Sequence, residues 1–79
     1  MQVIDVYSRR GCHLCEILLE QLIELTGTKA KILVHDVDTR DDWRERYGDL
    51  VPLVACQGRV LCHYKLDTEA VTTALAGTE

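Results

Sequence analysis

The sequence predicts an α/β fold of element order βαβαββα, a four-stranded mixed sheet flanked by three helices, with helices on both faces. Three observations predict it. β-rich runs and helical periodicity alternate through the first half of the chain. A pair of short strand-like runs around Gln57-Gly58 closes as a hairpin. The length, 79 residues, is that of one small domain spanning 1–79. The strand–helix–strand opening calls for a right-handed parallel crossover, and the hairpin adds antiparallel strands.

Val3 to Tyr7, ending at Ser8, is β-rich and reads as a buried strand. A loop over Ser8 to Gly11 leads into a helix from His13 to Thr26. Leu14, Leu18, Leu22 and Leu25, with Ile17, form its apolar stripe, while Glu16, Glu20 and Glu24 line another face; Gly27 ends it. Lys31 to Val37 is the second strand, and the unbroken run Ile32-Leu33-Val34 implies burial on both faces. Thr39 is the expected cap of a short helix through Tyr47, closed by Gly48, with Trp43 and Tyr47 four apart on its inner face. Leu53 to Cys56 and Arg59 to Tyr64 are the hairpin strands. Asp67 caps a last helix whose Ala70, Val71, Ala74 and Leu75 face inward, followed by Gly77.

Composition narrows the classes of function. A chain this short buries only about 60–65% of the surface it exposes when unfolded, so its core is thin. Hydrophobic residues at 47% and charged residues at 28% are ordinary for a globular protein. No apolar run approaches the ~20 residues of a membrane span. The opening MQVIDVYSRR has no basic start followed by an apolar signal core, so export is not expected. A net charge of −4 argues against nucleic acid. Repeats, low-complexity tracts and linkers are absent from the sequence. A cytoplasmic monomer is the expectation. In that reducing compartment a close cysteine pair points to catalysis or metal binding more than to a structural disulfide.

Such a pair stands in SRRGCHLCE, residues 8–16, where Cys12 and Cys15 are three apart. Four cysteines place some pair at that spacing by chance in roughly 15% of such compositions, so the spacing alone is weak evidence. The address is more specific. Cys12 stands where the first strand hands over to the first helix, and CxxC beside a βαβ pattern is the thioredoxin-like signature. Unpaired N–H groups and the macrodipole at a helix start favour negative charge. Arg9 and Arg10 add two cations nearby. A free cysteine, with a pKa near 8.5, is only ~3% thiolate at neutral pH; a pKa of about 7 makes roughly half reactive. Cys12 is thus the expected nucleophile. Cys15, one turn further in and more buried, is the expected resolving thiol. His13 can stabilise the thiolate when protonated, or only tune its potential.

The order of elements and the motifs YSRRGCHLC at 7–15, HDVDT at 35–39 and RYGDLVP at 46–52 resemble the glutaredoxin branch of the thioredoxin-like superfamily, in particular small bacterial glutaredoxin-like proteins. The resemblance covers nearly the whole chain. It implies a cis Val51–Pro52 bond facing the cysteines, with the Val51 backbone offered to an extended peptide or to glutathione as an added strand would be. Arg9 stands where many glutaredoxins carry a lysine that helps hold glutathione's carboxylate; the alternative is a solvated loop arginine. The chain departs from glutaredoxins in carrying His-Leu between the cysteines and YKLDTE in place of a Gly-Gly segment near the γ-glutamyl end of glutathione. Asp67 and Thr68 still offer a helix N-terminus to that end. The implied activity is thiol–disulfide exchange on disulfide-containing proteins or glutathione. No bound cofactor is required; glutathione is a candidate co-substrate, and an external reductase or reductant supplies electrons.

The remaining groups are given smaller parts. Asp5 is one residue off the position beneath the cysteines and should face the opposite way, so it is given no proton-relay role. With a two-residue loop, Leu53 lies opposite Cys62 and Arg59 opposite Cys56, and the two sulfurs point to opposite faces; a three-residue loop reverses that. Buried free thiols are the simplest reading of both. A zinc site drawing on Cys12, Cys15, Cys56, Cys62 or His63 has poor ligand spacing, and Glu16 stands where haem attachment needs a histidine, so no metal is expected. His35 and His63 read as strand residues. The rival to an enzyme is a peptide-binding module of the same fold with little turnover.

Overall fold

A computed structural model describes residues 2–76. Strand β1 is Gln2–Ser8, helix α1 His13–Thr26, strand β2 Ala30–Asp36, helix α2 Asp41–Tyr47, strand β3 Leu53–Cys56, strand β4 Arg59–His63 and helix α3 Thr68–Ala76, with a 3-10 turn at Val37–Thr39 between β2 and α2. The four strands form one sheet in the order β2-β1-β3-β4. β1 runs parallel to β2 and antiparallel to β3, and β3 runs antiparallel to β4. The sheet is therefore mixed, as its connections require: a helix-bearing crossover first, a two-residue hairpin last. The predicted order βαβαββα holds.

Side chains alternate across the sheet, and the two faces bury different things. Ile4, Val6 and Val54 are completely buried and meet Leu18 and Leu22 of α1 and Val71 of α3 in one apolar core. The other face carries Tyr7, whose ring stacks on His35 at 5.0 Å and lies 4.4 Å from Tyr47 and 5.7 Å from Trp43 of α2. Arg40 sits 4.8 Å over the Trp43 ring and Arg46 sits 5.1 Å from Tyr47. Asp5, on this same face, places its carboxylate Oδ1 2.9 Å from His35 Nε2 and accepts the proton of that ring nitrogen. One face thus has an aliphatic core and the other a ring cluster edged with charge.

Four local expectations are corrected. β2 is not buried on both faces: it is an edge strand, and Leu33 and Val34 are 37% and 51% exposed. A continuous apolar run signals two-sided burial only when neighbours exist on both sides. On α1 the inward arc runs through Cys15, Leu18, Leu22 and Thr26, leaving Leu14 and Ile17 exposed on its flank. Thr39 is not the cap of α2; its hydroxyl donates to the Asp36 carbonyl inside the 3-10 turn, and Arg40 takes the cap position without a side-chain bond. Finally, the hairpin loop has two residues, but β4 carries a bulge. Cys62 therefore pairs with Val54, not Leu53, while Cys56 pairs with Arg59. The extra residue flips the alternation, so both sulfurs fall on one face.

Asp67 caps α3 as expected, its Oδ1 accepting from Ala70 N–H at 3.0 Å. Gly77 lies outside the described residues. Among the described residues no helix is long and apolar enough to cross a membrane.

Candidate functional site

The site grows from the turn between β1 and α1. Gly11 has φ +78°, a left-handed conformation that residues with a Cβ adopt with strain. It lets the chain reverse in one step, so that Cys12 N–H donates back to the Arg9 carbonyl at 3.2 Å. Cys12 then takes the N-cap position of α1 in an extended conformation, and its Sγ accepts the Cys15 N–H at 3.2 Å. This role normally falls to a Ser, Thr or Asp oxygen. Here a sulfur faces the unpaired donors of the helix start.

Cys15 is buried beneath it, 4% exposed. Burial above all, and then the neighbouring Cys12 thiol, push the Cys15 thiol up to about 11, against a smaller pull from the Arg9 backbone and charge. The two cysteines are thus unlike: one half-exposed at a helix terminus, the other buried and held protonated. Both line a cavity of about 260 Å³ whose apolar wall is Val6, Leu19 and Val34 and whose polar rim is Ser8, Arg9, Arg10 and Glu16.

The other sequence-predicted residues are placed as follows. His13 extends into solvent with its side chain 82% exposed, Nδ1 lying 3.8 Å from Glu16 Oε1. Arg9 is turned toward Asp38, to which Nε and Nη2 donate at 3.0 and 3.3 Å, while Nη1 donates to the Gly48 carbonyl at 3.2 Å. These contacts hold the Asp38 carboxyl below its usual range, with Arg44 assisting. The Val51–Pro52 bond is cis, Pro52 is buried and Val51 half-buried. The Pro52 carbonyl accepts from Tyr64 N–H at 2.7 Å, and the Tyr64 hydroxyl donates to the Asp49 carbonyl. Asp67 is exposed and spends its carboxylate on α3; its own N–H donates to Cys62 Sγ at 3.4 Å. It is not among the residues that line the cysteine cavity. A second groove of about 350 Å³ runs between α1 and the chain after β4, lined by Leu14, Ile17, Leu18, Gln21, Tyr64, Lys65 and Leu66, and shares no residue with the cysteine cavity. Among the described residues no three His, Cys, Asp or Glu gather into a metal-ligand group.

Sequence reasoning gives Asp38, Gly48 and Tyr64 no part in the site, although it names Gly48 as the stop of α2, which it is. The first two lie inside the motifs HDVDT and RYGDLVP, which were the available signal. Tyr64 was read as the end of β4. It instead leaves the strand with φ +68° and turns back to the Pro52 segment.

Solved structures place this arrangement among known folds. The X. campestris structural-genomics target XcR50 is 23% identical, aligning 96% of this chain with 99% of its own at a TM-score of 0.72. A malarial protein is 13% identical over 96% of this chain and 93% of its own, with a TM-score of 0.64. The germline-specific thioredoxin Deadhead of Drosophila melanogaster is 24% identical over 99% of this chain and 81% of its own, with a TM-score of 0.54. At these identities the likeness speaks to fold, which is that of thioredoxin. No curated protein matches the chain. The family model for the Glutaredoxin-like domain (DUF836) matches residues 3–76, nearly the whole chain including the cysteine turn, and the protein therefore belongs to that glutaredoxin-like family.

Proposed function

We propose that the protein is a thiol–disulfide oxidoreductase that works through Cys12 and Cys15. The observation that carries this reading is the asymmetry of the pair: Cys12 at the N-cap of α1 with its sulfur reachable, and Cys15 directly behind it, buried and with its thiol pushed up to about 11.

The cycle balances without a bound cofactor. The Cys12 thiolate attacks a substrate disulfide; a Cys12–substrate disulfide forms, and the second substrate sulfur leaves as a thiolate and takes up a proton. Cys15 then loses its proton and its sulfur attacks Cys12, expelling the reduced substrate and leaving a Cys12–Cys15 disulfide. An external thiol reductant returns two electrons, and glutathione is the candidate co-substrate. The substrate is a disulfide-bearing protein or glutathione in extended form, lying along the Val51 backbone beside Pro52. The exposed Leu14 and Ile17 and the groove at Tyr64 supply apolar surface next to it. His13 stands at the entrance, and the α3 N-terminus at Asp67 is the candidate contact for a γ-glutamyl end. A reducing cytoplasm and a monomeric protein suit this cycle.

Reduction of a model disulfide by wild type, Cys12→Ser and Cys15→Ser tests it. Cys12→Ser should lose exchange altogether, and Cys15→Ser should stall as a covalent Cys12–substrate adduct detectable by mass. Exchange undiminished in Cys12→Ser would refute the assignment and leave a peptide-binding domain without turnover.

A further inference from the structure

Arg9 is held at both of its ends. Its carbonyl oxygen accepts the Cys12 N–H at 3.2 Å. Its guanidinium donates twice to Asp38, at 3.0 and 3.3 Å, and once to the Gly48 carbonyl at 3.2 Å. Asp38 is braced from its far side by Arg44, whose Nη2 donates to the Asp38 carbonyl at 3.0 Å and whose Nε reaches Oδ1 at 3.4 Å. Gly48 opens the segment that runs through Asp49 and Leu50 to Val51 and Pro52. Tyr64 grips that segment from its other end, through the Pro52 and Asp49 carbonyls. One residue therefore joins the backbone of the nucleophile, through its own carbonyl, to the stretch 48–52, through its guanidinium.

We propose that Arg9 is a positioning residue, a strut that sets the separation between the Cys12 sulfur and the Val51 backbone, and not the receptor of a substrate carboxylate. The inference rests on the oxidoreductase reading and deepens it. A substrate carboxylate seeking the two-pronged contact that suits a guanidinium must first displace Asp38. The room at Gly48 is also spoken for: a Cβ there would stand 2.4 Å from the Arg44 carbonyl oxygen and 3.2 Å from Arg9 Nη2. A lysine, a point charge without the planar fork, would pair with Asp38 but not also hold Gly48. Thiol exchange needs its reacting atoms at about 3–3.5 Å in line, and a misplacement of ~1 Å costs on the order of a hundredfold in rate.

The test isolates one step in a background that carries Cys15→Ser together with Cys56→Ala and Cys62→Ala, so that Cys12 is the one thiol left to react. Cys12 attacks either 4,4′-dithiodipyridine or an extended, amidated, carboxylate-free peptide carrying a thiopyridyl disulfide. Each reaction forms one disulfide at Cys12 and releases one thiopyridone, whose absorbance is read. The small reagent reports the thiol alone; the peptide reports the thiol and its placement. The dithiodipyridine rate of each variant absorbs whatever the loss of a nearby charge does to the thiol itself, and the peptide rates are read as a ratio to it. So read, Arg9→Ala and Asp38→Ala should both lower the saturating rate with peptide about tenfold or more at an unchanged half-saturating concentration, and the double variant should be no worse than either single. Arg9→Lys should recover only part. The strut is overturned if the half-saturating concentration rises while the saturating rate holds, if Asp38→Ala behaves as wild type, or if the two effects add. Should Arg9→Ala fail to fold, Asp38→Ala and Asp38→Asn carry the same comparison. A parent protein that reacts with dithiodipyridine but never with peptide would remove the oxidoreductase reading itself, and the strut with it.

Discussion

Among the described residues Cys15 carries a large shift in titration. Burial, then the adjacent Cys12 thiol, raise it to about 11, so near neutrality it is almost wholly protonated. Labelling of Cys15 by iodoacetamide in the reduced protein should climb about tenfold per pH unit and flatten only near pH 11, read by peptide mass; a plateau below pH 9 would contradict the burial argument. The same shift has a sign in stability. The unfolded thiol ionises first, at the ordinary value of 9.0, so the reduced protein keeps this contribution below pH 9 and loses it as pH rises toward 11. Denaturant midpoints of wild type should fall more steeply over that interval than those of Cys15→Ser. Gly48 offers a second residue-scale expectation. Its φ of −55° suits alanine, so the obstacle is the Arg44 carbonyl 2.4 Å from the new Cβ. Gly48→Ala should cost on the order of 1–3 kcal/mol in chemical denaturation, the range of overpacking.

At the scale of elements, end signals were legible where chemistry is local. Asp67 reads as a cap in the sequence and is one. Asp67→Ala should destabilise the protein by ~1 kcal/mol, whereas Asp67→Asn, whose amide oxygen can accept the same bond, should avoid most of that loss, measured by urea unfolding. The Cys12–Cys15 turn was equally legible, because strand, glycine and helix start are all written within ten residues. Thr39 misled for a physical reason: its hydroxyl had a nearer acceptor, the Asp36 carbonyl, and a 3-10 turn pre-empted the cap. β2 misled because apolar content cannot tell an edge strand from a central one. The bulge in β4 left no mark on composition, yet it reassigns the partner of Cys62. The partners of Arg9 lie 29 and 39 residues away, and nothing in a linear reading connects them.

For the molecule as a whole, the thinness of the core sets the terms. At about 0.05–0.15 kcal/mol per residue, a chain this size holds on the order of 4–12 kcal/mol. Leu18 and Leu22 are 1% and 0% exposed in the single aliphatic cluster. Leu22→Ala should cost about 2–5 kcal/mol, a large share of the total, and lower the melting temperature accordingly. The overall architecture was readable because the β and α periodicities alternate cleanly and the closing hairpin admits few topologies. Which face each helix covers came only with the register.

The ring cluster beneath α2 has a practical consequence. Trp43 is the only tryptophan in the chain and lies 5.1 Å from the His35 ring and 5.7 Å from Tyr7. Intrinsic emission excited at 295 nm therefore watches one seam, on the side of the sheet away from the aliphatic core. If that seam opens before the rest, fluorescence will change ahead of circular dichroism along a denaturant titration; coincident curves mean that both layers come apart together.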